Sequence, residues 1–310
     1  MIQELQMNTK RGVDAEARAW IARLKSGDAT TDDAEAFRAW RQQSAEHERA
    51  LQKALQVWQL SGEAAAEQAR PPSRRGVLLG GAGLLAASAG AYQAAAFLGH
   101  VPNLSAWLAD QATAIGAVAP LDVAGAEGTL DGASAVNGGN GSRLRLVAGA
   151  LYVHVGLRAE GKPALAVEAA SLGASLTAGA AEIRFGDRGP EIACAEGQVQ
   201  ITAPKPMLLG AGETVSLDDA GTLLHSVQAP QEIAGWRSGI LTFRRRRLGD
   251  ALADLNRHRT GKVLLGRPLL AERQVSGVFH LDRPDEIVSH LVEGLRLVRR
   301  DLPGRLVLLS

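Results

Sequence analysis

Hydrophobic positions along the chain change their spacing three times, and each change predicts a different kind of structure. Near the N-terminus, Ala17, Trp20, Ile21 and Leu24 fall at i, i+3, i+4 and i+7, one face of a helix. Ser26-Gly27-Asp28 ends it, with Gly27 suited to the C-cap. Thr30 or Thr31 caps a second helix, with Asp32, Asp33 and Glu35 near its positive end and Ala36, Phe37 and Trp40 on its apolar face. Ser44 caps a third, whose face carries His47, Ala50, Leu51, Ala54, Val57 and Trp58. From Gly76 to Leu98 there is no Asp, Glu, Lys, Arg or Pro. A helix rises ~1.5 Å per residue, so this run matches a ~30 Å hydrocarbon layer.

Beyond it the period falls to two. Leu144 and Leu146, then Leu151, Val153 and Val155, alternate with Arg145, Tyr152 and His154. Short runs of the same kind recur at Leu165 to Val167, Ile183, Val199, Ile201, Val215 and Leu217, divided by Gly and Asp. In the last stretch strand and helix spacings take turns. Gly239 to Phe243, Lys262 to Leu265 and Val275 to Leu281 read as strands, as do Leu295 to Val298 and Leu306 to Leu308. Leu248, Ala251, Leu252 and Leu255 make one helix face, and Ile287, Val288 and Leu291 another.

The predicted fold class is therefore multidomain. Residues 1–70 form an all-α helical module, and 71–100 a linker with one transmembrane helix. Residues 101–235 form a β-rich domain, a sandwich or short solenoid, and 236–310 an α+β domain of two successive βαβ units. Arg70, Arg74 and Arg75 crowd the N-terminal edge of the apolar run, and no Lys or Arg follows until Arg143. By the positive-inside rule this places the N-terminus in the cytoplasm and the C-terminal bulk outside it. Ser73 to Leu79 also resembles a twin-arginine export signal carried by Arg74 and Arg75; the other reading is that these arginines only anchor the helix end.

Composition narrows the function. The formal charge over 310 residues is +1, which gives no bulk reason to expect a nucleic-acid partner. One cysteine, Cys194, excludes an internal disulfide and a CxxC metal site. The seven histidines are scattered, and no HExxH, GxSxG or Walker loop occurs. The expectation is a non-enzyme with no cofactor and no metal. Three of the five tryptophans, Trp20, Trp40 and Trp58, lie in the first 70 residues. They read either as a miniature core or as anchors for a partner that completes it. Arg244, Arg245, Arg246 and Arg247 read as a solvated basic turn or as a dock for an acidic partner surface.

Several of these stretches resemble the FecR family of sigma regulators. Ala19 to Asp28, then Phe37-Arg38-Ala39-Trp40, then His47 and Trp58, is similar to the family's cytoplasmic domain, although the Pro usual near Ser44 to Glu46 is missing. Leu130 to Asn137, Glu196 to Val199 and Leu209 to Glu213 resemble its middle domain. Gly235 to Phe243, Leu248 to Arg257 and Val275 to Phe279 resemble its C-terminal domain, itself similar to the short N-terminal module of secretins and outer-membrane transducers. The resemblance implies an inner-membrane anti-sigma factor. Its helices would hold an extracytoplasmic-function sigma factor through Trp20, Leu24, Phe37, Trp40, His47 and Trp58. Its outer part would receive a signal, of the iron or siderophore uptake type, from the periplasmic domain of a TonB-dependent transducer. An intramembrane or periplasmic protease would relay it. The alternatives are a membrane-tethered envelope binding or assembly protein docking a secretin-like partner, and an exported hydrolase. Some relatives cut themselves at a Gly-Thr bond; the matching pair here is Gly179-Ala180, whose alanine has no nucleophile.

Overall fold

The computed structural model describes residues 12–21, 23, 31–54, 109–123, 125–138, 141–156, 163–217 and 221–310. The chain divides into two compact units, Met1–Leu108 and Ala109–Ser310, and each is taken by itself.

In the first unit, helix α1 covers residues 12–21, α2 Thr31–Gln42 and α3 residues 45–54. The spacing of apolar residues explains the packing. Ala17 and Ile21 of α1, Phe37 and Trp40 of α2, and Ala50 and Leu51 of α3 share one buried cluster. Ala36 is exposed instead of joining that face. Ser44 caps α3: its Oγ accepts the N–H of Glu46 (3.2 Å) and lies 2.9 Å from His47 Nδ1. Ion pairs Lys53–Asp14 (2.7 Å), Arg23–Asp33 (3.0 Å) and Arg41–Glu48 (2.8 Å) run between the helices.

The second unit is mostly β. Its strands are β1 Gln111–Ala112, β2 Ala119–Val123, β3 Ala126–Leu130, β4 Ala135–Asn137, β5 Arg143–Ala148, β6 Ala150–Val155 and β7 Leu165–Ala169. They continue with β8 Leu172–Leu176, β9 Gly179–Phe185, β10 Pro190–Ala203, β11 Met207–Gly210, β12 Glu213–Leu217 and β13 Leu223–Val227. These form one 13-stranded sheet of order β1-β4-β5-β7-β8-β10-β9-β6-β3-β2, with β11 and β12 also on β10 and β13 on β12. The 14-residue β10 is the hinge of this arrangement. Its first part pairs with β9 and β12, its last part with β8 and β11, and its register shifts between Cys194 and Glu196. Such a shift lets one strand turn a corner between layers. The sheet curls on itself, so Leu121 and Val123 of β2 share a core with Val136 of β4 from the opposite end.

The remaining elements are β14 Ile240–Arg247, α4 Leu248–Asn256, β15 Val263–Leu265, β16 Gln274–His280, α5 Pro284–Leu295, β17 Arg299–Leu302 and β18 Leu306–Leu309. They do not make two βαβ units. β14 pairs antiparallel with β16, while β15 runs parallel to β18, which pairs antiparallel with β17. The strands before and after α4 thus lie in different sheets. Of the expected strand Leu295 to Val298, Leu295 ends α5, Arg296 adopts φ +49, Leu297 N–H donates to Val292 O (2.9 Å), and only Val298 is ladder-like, exchanging backbone hydrogen bonds with Ser310. Nor is this stretch a separate domain. Ala193 of β10 is buried in one cluster with Trp236, Leu241, Phe243, Leu252 and Val288, and Tyr152 of β6 packs against it.

The four-part fold class is corrected accordingly. The described chain is mostly β with few helices, and residues 109–310 form a single unit around a large curled sheet. The localisation is corrected as well. Among the described residues no helix is long and apolar enough to cross a membrane, so the single-pass inner-membrane topology is not supported. The longest helices given residue bounds, α2 and α5, have 12 residues each. At ~1.5 Å per residue each reaches about 18 Å, short of a ~30 Å core. The run Gly76 to Leu98 and its flanking Arg74 and Arg75 lie outside the described residues.

Candidate functional sites

Two places bring together side chains that the fold alone does not require. The first is the aromatic cluster of the helical unit. Trp20 meets Phe37 edge-on, with ring centroids 5.6 Å apart. Phe37 stacks on Trp40 at 6.0 Å, and His47 stands edge-on to Trp40 at 5.1 Å. Trp40 Nε1–H donates to Glu16 Oε2 (2.7 Å), satisfying the indole in its buried position. Four of the six residues proposed to hold a partner are therefore in mutual contact. Phe37 and Trp40 are buried, while Trp20 and His47 are half-exposed at the edge of the cluster. Leu24 and Trp58 lie outside the described residues.

The second place is a buried charge network between the curled sheet and the elements after residue 230, which sequence reasoning missed. Asp254 on α4 accepts from Arg257 (2.7 Å) and Arg246 (3.1 Å). Arg257 Nε–H also donates to Asp131 Oδ2 (2.7 Å), at the end of β3. His258 Nε2 lies 2.9 Å from Asp131 Oδ1, off line for a hydrogen bond but close enough for an ion pair. On the sheet, Arg184 of β9 pairs with Glu191 of β10 and lies 3.5 Å from Glu182. Arg246 reaches Glu191 as well (3.4 Å). Glu182 in turn accepts Trp236 Nε1–H (2.7 Å) and the N–H of Ala234 (3.1 Å). A cavity of about 20 Å³, large enough for one water molecule, sits among Arg184, Trp236, Arg246 and Asp254.

Burial would push the Glu191 and Asp254 carboxyls up. The arginines beside them outweigh it: Arg184 and Arg246 hold Glu191 down to about 2, and Arg246, Arg184 and Arg257 keep Asp254 well below the usual carboxylate range. In sequence, Glu182 and Arg184 flank Ile183 and read as the solvent face of a strand. Only the arrival of Trp236 and α4 over that face makes it an interior. Close backbone contact matters here too: a Cβ on Gly132 would collide with Arg257 O.

The four arginines Arg244 to Arg247 are the end of β14, not a turn, and include a bulge opposite β16. Arg244 is held by Glu232 (2.7 Å) and Arg247 by Glu272 (2.6 Å) and Asp250 (3.2 Å). Arg246 belongs to the buried network. Arg245 is exposed, and its N–H donates to Ser276 Oγ (2.9 Å). Three of the four guanidinium groups are thus engaged by carboxylates of the same chain.

Gly179-Ala180 opens β9, with Ala180 buried. Since Ala180 bears no hydroxyl, the purified protein is expected to run as one chain of full length on a denaturing gel. Two fragments, one beginning at Ala180, would contradict this.

Comparison with known proteins adds two findings. Residues 15–57 match the family described as a domain of unknown function, DUF4880; the match takes in α2, α3 and most of α1. In fold the chain is similar to a candidate anti-sigma factor from Parabacteroides distasonis ATCC 8503, seen in two crystal structures. The likeness to the structure at 1.65 Å resolution has a TM-score of 0.57 and 14% identity. That to the structure at 2.50 Å has a TM-score of 0.56 and 15% identity. Each likeness covers 64% of this chain and 97% of the other. No curated protein matches the chain.

Proposed function

We propose that this chain is an anti-sigma factor whose helical unit holds a sigma factor, of the extracytoplasmic-function kind. The observation that carries the reading is the fold shared with nearly the whole length of the candidate anti-sigma factor from Parabacteroides distasonis. The aromatic cluster supports it. A module of about 40 residues buries little apolar surface by itself, and Trp20 and His47 offer a half-exposed aromatic edge to a partner helix. The 109–310 unit is the receiving part, and the resemblance of its last stretch favours a TonB-dependent transducer in uptake regulation as the source of the signal. A protease that separates the helical unit from the rest is the simplest relay.

The test uses the tagged full chain in its own cells. A sigma factor is expected to co-purify with it, and deleting the gene is expected to change transcription from that sigma factor's promoters. The reading falls if no sigma factor is retained and those promoters do not respond.

A further inference from the structure

Strand β16 carries an open edge of an unusual kind. Among the described residues it pairs with β14 alone. Leu281 N–H donates to Gly239 O (2.8 Å), and hydrogen-bonded and non-bonded pairs alternate in an antiparallel ladder. Leu241↔Phe279 is then a bonded pair, while Thr242↔Val278 and Ile240↔His280 are not. The N–H and C=O groups of Val278 and His280 therefore point away from β14.

Sheets usually protect such an edge with charge or proline. The neighbouring edge strand β17 does so, with Arg299, Arg300 and Asp301 in succession. β16 has no charged residue or proline between Gln274 and His280, and it leaves Val278 63% exposed. Beside this edge lies a groove of about 380 Å³ between β16 and α5. Phe279 and the buried Ile287 supply its apolar lining. At its mouth the exposed Arg283 stands 3.4 Å from Glu286 and 3.8 Å from Asp282, which leaves one carboxylate in excess. His290 Nδ1 lies 2.8 Å from Glu286 O.

We infer that this groove binds an extended segment of another polypeptide, which adds to β16 as a third strand. The C=O of His280 already accepts the N–H of Arg283 (3.5 Å), so the outward N–H and C=O of Val278 and the N–H of His280 are what an extended backbone would match. The apolar lining selects a segment that places an aliphatic side chain against Phe279 and Ile287, and the excess carboxylate at the mouth selects against an acidic one. The inference is independent of sigma-factor binding, which is proposed for the other unit.

A displayed library of random eight-residue peptides, selected on the full-length protein, provides the probe. The enriched peptides are expected to show apolar residues at alternate positions. N-methylation of the best peptide at one alternating set of amides should weaken binding about tenfold or more, and at the other set should leave it nearly unchanged. In the protein, Val278→Pro removes only an outward N–H and should abolish binding, whereas Val278→Thr should retain it. The methylated peptides make the test independent of whether Val278→Pro folds. Three results would overturn the inference: no enriched peptide, equal binding by both methylated sets, or a concentration-dependent dimer of the wild type that Val278→Pro dissolves.

Discussion

Replacing Asp254 by alanine is expected to destabilise the 109–310 unit by about 3–5 kcal/mol, the usual cost of removing one partner from a buried ion pair. The loss is large because Asp254 is shared. Arg246 and Arg257 both donate to it, and Arg184 lies 3.9 Å away. Its removal leaves the buried Arg184 and Arg257 and the half-buried Arg246 short of negative charge. Urea denaturation followed by circular dichroism should show the midpoint fall with little change in slope. Asp254→Asn keeps an acceptor oxygen and should cost less. A loss within about 0.5 kcal/mol for the alanine variant, the range of an ordinary surface change, would show that the network is not holding the sheet to α4.

The same network sets a pH dependence. Glu191 has its folded pKa lowered from 4.5 to about 2, and that of Asp254 is lowered too. A group with a lowered folded pKa stabilises the fold above its unfolded value, and that stability disappears as pH falls through the folded value. Stability is thus expected to hold from neutral pH down to about 5 and to decline steeply as the pH falls from about 4.5 towards 2. Glu191→Gln should flatten that decline. Glu272 and Asp285 also have lowered pKa values, but they are exposed enough for solvent to screen most of their effect.

Phe37→Ala should have a comparable effect on the helical unit. Phe37 is fully buried between Trp20 and Trp40, and truncating a core Phe costs about 3–5 kcal/mol. A module this small has little stability to spare, so the variant is expected to unfold outright over residues 12–54. Hydrogen exchange read peptide by peptide would show protection lost in α1, α2 and α3. Sigma-factor binding, if the proposed function holds, should vanish with it. Ala39→Ser, on the exposed side of α2, is the control and should change neither. Retained protection in Phe37→Ala would mean that the aromatic cluster is not the core of the module.

Much of the local structure was legible in advance. The spacing of Ala17, Ile21, Phe37, Trp40 and Leu51 located the buried face of the three helices, and Ser44 marked the start of the third. The alternation at Leu144 and Leu146, and at Leu151, Val153 and Val155, gave β5 and β6 with their buried positions. These features depend on residues a few positions apart, where periodicity and capping act directly.

Local pattern did not say which strands pair. The spacing around α4 was compatible with a parallel βαβ unit, yet β14 turns to β16 and β15 to β18, partners far along the chain. It could not find the charge network either. Glu182, Arg184 and Glu191 sit in a pattern suited to solvent, and the elements that cover them come some fifty or more residues later. Nor did the likeness of separate stretches to separate domains anticipate that Ala193 and Trp236 would share one core. Sequence by itself determined where helices and strands form and which of their faces are apolar, because neighbours in the chain carry that information. Tertiary contact alone decided the sheet order, the merging of the β and α+β stretches into one unit, and the burial of the charges, because each depends on what a distant segment lays over the surface.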